Sequence, residues 1–420
     1  MNRKNEPHPW LKKLLLALIL IISDIQAENI SQDLEGRGGF AKSEGLFDLA
    51  PGKNVNETKF MQSIRTTIGG WLEGGYTINP DGPQSGINGP TTFNNRADDP
   101  VLDAFYLFFE RQVDAKGKHW DIGWRADFLY GTDSIFTQAF GLDKNILNND
   151  TARFYRTAIP QLYVKTFIPV GNGITVDLGH FYTLIGYETV TAPENFFYSH
   201  AYTMQYGEPF THTGIIAHYP VNDNIRLSAG SVMGWNDFSG NPSNQNFIGR
   251  ISWASDDQRT SLDAALITGD VTKVVTPVNP DRNRTVYSLV LQHQVTERLK
   301  YVFQHDFGIE PHAVENFTKT ARWYGINQYL FYQVKKTLGA GLRFEWFRDA
   351  QGVRVMANGL SGPADYFEAT VGLRWDILKW VTFRPEVRYD WMSSSTGFRA
   401  FNDNTKSNQV IIAADLIIKF

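Results

Sequence analysis

The chain contains no cysteine, which excludes a disulfide scaffold, thiol catalysis and cysteine-based metal sites. It also lacks an excess of positive charge, since 44 acidic residues outnumber 40 lysine and arginine residues. The net charge of −4 offers no basic face for nucleic acid, so we expect no nucleic-acid partner. Both absences argue against an intracellular thiol enzyme or a nucleic-acid-binding protein.

A hydrophobic run long enough for a transmembrane helix is missing too. The longest apolar run, 14–22, follows basic residues such as Lys12 and Lys13 and precedes the small residue Ala27. A spanning helix needs roughly 20 apolar residues, so a membrane anchor is the weaker interpretation. The pattern is typical of a signal peptide at 1–27, and it predicts export. Residues 28–60 are polar and predict a periplasmic lead-in.

Alternation of apolar and polar residues begins near Met61 and continues to the end of the chain. In 380–391, for example, Val381, Phe383 and Val387 share one face, while Arg384 and Arg388 share the other. A period of two residues is the pattern of a β-strand with two different faces. A soluble sandwich would turn the apolar face inward, whereas a membrane barrel would turn it toward lipid.

The arrangement of these segments favours a barrel over 61–420. We count about sixteen of them, many near the ~9–11 residues that cross an outer membrane at a tilt. Their connections are alternately short and long, as with short periplasmic turns and long extracellular loops. Aromatic residues make up 14% of the chain, enough for two interfacial girdles. The sequence therefore predicts an all-β fold, a transmembrane antiparallel β-barrel of about 16 strands.

The last segment ends in Phe420. A final strand that ends in phenylalanine resembles the assembly signal of outer-membrane proteins, although a buried last strand would look similar. We therefore interpret Phe420 as an assembly signal. The barrel assembly machinery, outer-membrane lipids and lipopolysaccharide are the partners that such a protein implies.

Four stretches resemble the OmpL-like β-barrel porin family of bacterial outer membranes. They are 120–133 (WDIGWRADFLYGTD), 179–188 (GHFYTLIGYE), 195–199 (NFFYS) and 209–214 (PFTHTG). The resemblance covers the chain from about residue 61, and it implies an outer-membrane barrel with a pore. It implies no enzyme and does not specify a substrate. Many such porins are homotrimers, although no oligomer-specific motif is present here.

If the apolar face meets lipid, the charged face lines the lumen, since Arg or Lys on the lipid face costs roughly 2–4 kcal/mol near the midplane. These charged residues can pair along the wall, set ion selectivity, or do both. The predicted pore-lining residues are Arg65, Glu110, Arg125, Asp127, Arg343, Glu345, Glu368, Arg374, Arg384, Glu386 and Arg388.

The long loop 185–208 carries Glu188, Glu194 and Glu208 and contains no lysine or arginine. We predict that it folds into the channel as a constriction loop and sets its acids across from the arginine wall. Such an arrangement gives a transverse field that selects among ions. The alternative is an outward-facing loop that packs against a neighbouring subunit.

Motifs of enzymes and metal sites are not evident. No Gly-x-Ser-x-Gly elbow is present, the histidines lack ligand spacing, and we expect no metal and no cofactor. The predicted function is a porin, a water-filled channel for small hydrophilic solutes or ions. The alternatives are a non-conducting structural or adhesive barrel and, less favoured, a barrel hydrolase.

Overall fold

One antiparallel sheet closes on itself in the computed structural model, which describes residues 54–147, 154–238, 245–271, 282–314 and 318–420. The predicted signal peptide and most of the lead-in lie outside these residues. The strands are β1 (Thr67–Ile78), β2 (Pro100–Arg111), β3 (Asp121–Gly131), β4 (Arg156–Ala158), β5 (Leu162–Ile168), β6 (Ile174–Tyr182), β7 (Thr211–Pro220), β8 (Ile225–Val232), β9 (Asn246–Ala254), β10 (Thr260–Asp270), β11 (Asn283–Gln294), β12 (Leu299–Val314), β13 (Lys319–Lys335), β14 (Leu338–Asp349), β15 (Ala364–Leu378), β16 (Val381–Ser393) and β17 (Asn408–Lys419).

Strands β4 and β5 are two pieces of one interrupted strand, because both pair with β3. The break falls at 159–161, where Pro160 cannot donate a backbone hydrogen bond to the ladder. The backbone resumes contact when the Asp127 N–H donates to the Gln161 carbonyl at 2.8 Å. The barrel therefore has 16 strand positions, and the predicted fold class is confirmed.

The barrel closes between its first and last strands. Pairing of β1 with β17 runs from Trp71 opposite Lys419 to Ile78 opposite Ile412. Beyond it, the Gly70 N–H donates to the Phe420 carbonyl at 3.0 Å and the Phe420 N–H donates to the Gly70 carbonyl at 2.9 Å. This seam removes the two free sheet edges, which could not be satisfied in lipid.

Helical structure is short. The helices are α1 (Lys59–Ser63) and α2 (Ser134–Thr137), with single 3₁₀ turns at Val55–Glu57 and Ala192–Glu194 and π turns at Asp143–Leu147 and Thr203–Gly207. Helix α1 replaces the start of the first predicted strand, 61–76. The Thr58 side chain caps it by accepting from the Met61 N–H at 3.3 Å. Arg65 then ends it with a left-handed φ of 51°.

Side chains divide by parity between the outside and the inside of the barrel. Leu72, Ile122 and Leu178 keep 40%, 58% and 59% of their surface exposed. On the opposite parity Arg343 and Arg384 are 0% and 1% exposed. The apolar face therefore points outward and the charged face inward, which confirms the predicted orientation.

Connections alternate in length around the barrel, as predicted. Short turns such as 169–173, 221–224, 336–337 and 379–380 lie at one end, and long loops such as 79–99, 183–210, 350–363 and 394–407 lie at the other. Among the residues that the structure describes, no helix is long and apolar enough to cross a membrane.

Replacing Phe420 by alanine should weaken the seam. Its ring stacks on Phe105 with centroids 6.0 Å apart, and alanine would lose this contact while the backbone bonds remain. We expect a cost of about 1–2 kcal/mol, since the ring is half-buried rather than part of a core. The measurement is the temperature at which the folded band disappears on an unheated-sample gel.

Phe60→Ala is the matched control, because Phe60 in α1 is 69% exposed. Equal midpoints for the two variants would show that the Phe420 ring does not stabilise the seam. A lower yield of folded F420A in membranes, with a normal midpoint, would favour an assembly role alone.

Candidate functional site: the narrowed lumen

The connection between β6 and β7, residues 183–210, lies inside the barrel, and we call it the inner loop. Its side chains and backbone contact inward-facing residues of β12 to β16 across the lumen. It follows that the inner loop narrows the channel from the side of the late strands. The predicted loop, 185–208, matches these bounds closely.

Arg384 on β16 anchors the inner loop most extensively. Its Nη1 donates to the carbonyls of Ala192, Asn195 and Phe197 at 2.8, 3.0 and 2.9 Å. Its Nε and Nη2 donate to Asp415, and Nη2 also reaches Glu73 at 3.0 Å. All three guanidinium nitrogens are therefore used, and the buried charge is fully paired.

Two further arginines extend this pattern along the loop backbone. Arg343 Nη1 donates to the Ser199 carbonyl at 2.7 Å, and Arg388 Nη1 donates to the His200 carbonyl at 2.5 Å. Arg374 donates in the same way to the Asn195 carbonyl at 2.7 Å. Wall arginines thus supply the donors that loop carbonyls would otherwise lack.

Wall glutamates do the reverse for the loop N–H groups. Glu386 accepts from the backbone N–H of Tyr198 and of Ser199 at 3.0 and 3.1 Å. Glu345 accepts from the N–H of Tyr202 and of Thr203 at 2.5 and 2.6 Å. Buried backbone groups need partners, and here charged side chains replace a β-ladder.

Small wall residues make room for the loop. A Cβ atom at Gly341 would lie 2.3 Å from the Phe196 ring, and one at Gly325 would lie 2.1 Å from the Thr203 hydroxyl. The ring of Phe196 packs on Phe331 with centroids 4.7 Å apart. The wall is therefore shaped to hold the loop as well as to bond it.

The negative charge of Glu188 is paired with basic and hydrogen-bonding groups inside the lumen. It accepts from Arg343 at 2.8 Å and from the Ala201 N–H at 2.9 Å, with His200 Nδ1 at 3.2 Å. Burial opposes its charge, but Arg343 and His200 outweigh burial and lower the pKa of Glu188 to about 2. Burial lowers the pKa of His200, against the opposing effect of its contact with Glu188.

Glu208 lies at the other end of the loop in a different environment. It accepts from Gln304 Nε2 at 2.5 Å, and the same amide donates to Asp306 at 2.9 Å. Burial first, and then the neighbouring Asp306 carboxyl, raise the pKa of Glu208 well above its usual value. Burial and the neighbouring acid therefore both favour the protonated form of Glu208.

The structure corrects the predicted pore lining. Six predicted residues lie on the inner face but bond the inner loop or one another, and are 0–4% exposed: Arg343, Glu345, Glu368, Arg384, Glu386 and Arg388. Arg374 contacts the loop backbone. Asp127 accepts a hydrogen bond from Arg125 Nε at 2.8 Å. Glu188 pairs directly with Arg343 at 2.8 Å, so these two charges do not face each other across open space.

Arg65 was predicted to line the pore, but it lies outside the strands. It precedes β1, its side chain is 51% exposed, and it pairs with Asp121 at 3.1 Å at the short-turn end of the barrel. The reason is that α1 moves the start of the strand to Thr67. Of the original set, Glu110 and Arg125 line the open space with Glu188, Glu194 and Glu208.

A cavity of about 320 Å³ remains between the inner loop and the wall of β2 to β9. The wall of this cavity includes four residues of the middle strands that were not predicted to line the pore. They are Lys165, Asp177, His218 and Arg250. Lys165 pairs with Asp177 at 3.2 Å, and Arg125 lies 3.7 Å from Glu110. All four residues lie at inward-facing positions of β5 to β9, and this alternation is the sequence pattern that could have identified them. The open face therefore combines wall residues of both signs with a loop that has no lysine or arginine.

A family model described as "Putative beta-barrel porin-2, OmpL-like" matches residues 65–420. The chain belongs to this family. No curated protein sequence matches this porin. The family and the fold imply an outer-membrane location.

Solved structures resemble the porin in fold. The outer-membrane channel DcaP of Acinetobacter baumannii shares 11% identity and covers 84% of this chain and 97% of its own, with a TM-score of 0.55. The anion-selective porin of Comamonas acidovorans shares 9%, with 84% and 99% covered and a TM-score of 0.55. The trimer form of OmpT from Vibrio cholerae shares 10%, with 84% and 99% covered and a TM-score of 0.51. Such low identities show the fold alone.

Replacing Arg384 by alanine should release the inner loop. Three loop carbonyls and the Asp415 carboxylate would lose their donor, and breaking a buried pair costs about 3–5 kcal/mol. Because the chain has no cysteine, a single Ala201→Cys reporter can be placed in the loop, where Ala201 is 0% exposed. We expect a membrane-impermeant thiol reagent to label this reporter at least tenfold faster in R384A.

Arg399→Ala is the matched control, since exposed Arg399 makes one bond to the Thr405 carbonyl. Unchanged labelling in folded R384A would show that Arg384 does not hold the loop. Folding is checked by the heat-dependent gel shift of each variant.

Alkaline pH should loosen the Glu208 anchor. A raised pKa in the folded state stabilises at low pH, and this stabilisation is lost as the pH rises through that pKa. Ionised Glu208 would face the Asp306 carboxyl, with Gln304 as shared donor and Glu188 as the next acid. We expect channel current noise and conductance, recorded at stepwise increasing pH, to rise as the pH passes that raised pKa.

Glu208→Gln should remove that rise, since glutamine keeps a neutral side chain of the same shape. Glu57→Gln, at an exposed position before β1, should leave it unchanged. An equal rise in E208Q and the native chain would place the titrating group elsewhere.

Proposed function

We propose that this porin conducts ions and small hydrophilic solutes through the narrow path between the inner loop and the wall of β2 to β9. The observation that supports this proposal best is the cavity of about 320 Å³ inside a closed barrel, lined by paired charges. A sixteen-stranded barrel is wide enough to leave an aqueous channel. The inner loop narrows that channel without removing the polar wall opposite it.

Its route to the membrane is part of the same proposal. The segment 1–27 acts as a cleaved signal peptide, and the barrel assembly machinery inserts the strands with Phe420 as the signal. Outer-membrane lipids and lipopolysaccharide then surround the apolar outer face. Residues such as Ile122 and Leu178, exposed by more than half, support a lipid-facing surface.

We propose a homotrimer as the assembly. The support is the similarity in fold to an outer-membrane protein solved in a trimer form, the OmpT of Vibrio cholerae. Cross-linking of the native membrane followed by mild detergent extraction separates a trimer from a monomer.

A closed structural or adhesive barrel is the second candidate. The inner loop fills one side of the lumen, and Arg343, Arg384 and Arg388 behind it are 0–1% exposed. Such filling is what a non-conducting barrel requires, and the conductance measurement below distinguishes the two functions.

We propose that the protein is not an enzyme, although one trio has the composition of a hydrolase triad. His218 Nδ1 lies 2.8 Å from the Ser228 hydroxyl, and its Nε2 lies 3.5 Å from Asp177. Ser228 is 5% exposed and does not line the cavity, and Asp177 already pairs with Lys165 at 3.2 Å. A covered nucleophile and a neutralised acid support a structural role.

Single-channel recording in a planar bilayer under a salt gradient tests the proposed function. We expect small, stable current steps, since the inner loop leaves a narrow path. Deleting 187–205 should raise the conductance several-fold, because it removes the loop backbone that fills the lumen.

Silence from folded native protein, with steps from the deletion variant, would favour the closed barrel. Steps of equal size from both proteins would contradict the role of the inner loop as a constriction.

A further inference from the structure

The cavity has one polar face and one largely apolar face. On the wall stand Glu110, Arg125, Lys165, Asp177 and Arg250 from alternate inward positions of β2 to β9. The face toward β6 and the inner loop is formed mainly by apolar and aromatic side chains. Its partly exposed members include Tyr182, Leu184 and Tyr187.

The aromatic rings on this face are held in place. The Tyr182 hydroxyl bonds the Tyr106 hydroxyl at 3.1 Å, and the Tyr187 ring packs on Tyr329 with centroids 4.9 Å apart. On the wall, the Tyr163 ring lies 5.6 Å from the Lys165 ammonium group. Fixed rings give a preformed apolar surface on which a flat solute can rest.

Charges on the polar face lie beside charges of opposite sign, and Arg125 pairs with both Glu110 and Asp127. Lys165 lies 3.2 Å from Asp177, Arg125 lies 3.7 Å from Glu110, and the Arg250 guanidinium lies 3.8 Å from Asp263 on β10. A charged solute that is attracted to one member of a pair is repelled by the other. A hydroxyl group both donates and accepts, so it can bond to the acid and the base of one pair.

Two of the three acids of the inner loop are held by partners of their own. Glu188 is committed to Arg343 at 2.8 Å, and Glu208 accepts from Gln304 at 2.5 Å. Glu194 is exposed and accepts from the Thr191 hydroxyl at 2.7 Å. The charges that border the cavity are therefore mixed in sign, and most of them lie within 3.8 Å of a partner of opposite sign.

We propose that the cavity is a binding site for neutral polyhydroxylated ring solutes, of the size of one or two hexose units. The C–H face of such a ring rests on the tyrosine and leucine side, and its hydroxyl edge bonds the ion pairs of the wall. A volume of about 320 Å³ is at the small end of known ligand sites, which suits this size. The inference rests on the proposed porin function, because the solute reaches the site only through an open channel.

The test measures ion current through single channels of the full-length protein while a solute is added. Maltose at millimolar concentration should reduce the current in a saturable way. Sorbitol, which is acyclic and has no ring face, should change the current only as far as solution viscosity does. Glucuronate and glucosamine, which keep the ring and carry one negative and one positive charge respectively, should block no better than maltose.

Lys165→Met should weaken the block by maltose about tenfold, the loss expected for one hydrogen bond to a charged group. Its matched control is Lys116→Met, since Lys116 lies exposed in the turn between β2 and β3. The solute series on the native chain does not depend on either variant folding.

Each outcome separates the two proposals. No current from folded protein would contradict the porin function itself. Normal current that maltose does not block, or that sorbitol blocks equally, would overturn the sugar site and leave the porin intact. Stronger block by a charged solute would overturn neutral selectivity, and equal block of K165M and K116M would remove Lys165 from the site.

Discussion

Backbone N–H and C=O groups that face lipid, or that are packed between the inner loop and the wall, must find a partner without help from bulk water, and this constraint explains both the barrel and its filling. For the strands the partner is the next strand, up to the seam between β1 and β17. For the inner loop the ladder is absent, and the partners are side chains of the late strands. Arg384 bonds three loop carbonyls, and Glu386 and Glu345 accept from loop N–H groups.

The same arrangement gives charged residues two different tasks on two sides of one lumen. On the late strands the arginines and glutamates are buried and hold the inner loop in place through hydrogen bonds. On β2 to β9 the pairs Arg125–Glu110 and Lys165–Asp177 border the cavity, where they can contact a solute. A buried pair is weak evidence for stability by itself, but here it also fixes the position of a loop.

The fold was predictable from the sequence because a period of two residues fixes which side chains share a face, whatever the tertiary structure. The start of β1 was not, because Thr58 caps a short helix that the alternation around residue 61 conceals. That the Arg384 side chain points into the barrel was also predictable, whereas its hydrogen-bond partners were not. Alternation cannot reveal that the carbonyls of Ala192, Asn195 and Phe197 cover it, since that contact depends on the path of a loop. Lys165 and Arg250 could have been found by following inward parity through the middle strands.

The anchors of the inner loop are remote from it along the chain. Ala192 and Arg384 are separated by 192 positions, and His200 and Arg388 by 188. Contacts of such high sequence separation form late, since the intervening chain must first be ordered. The loop cannot complete these contacts until the late strands have been placed. The seam between β1 and β17 joins positions still farther apart, so the narrowing of the channel and the closure of the barrel both depend on the last part of the chain.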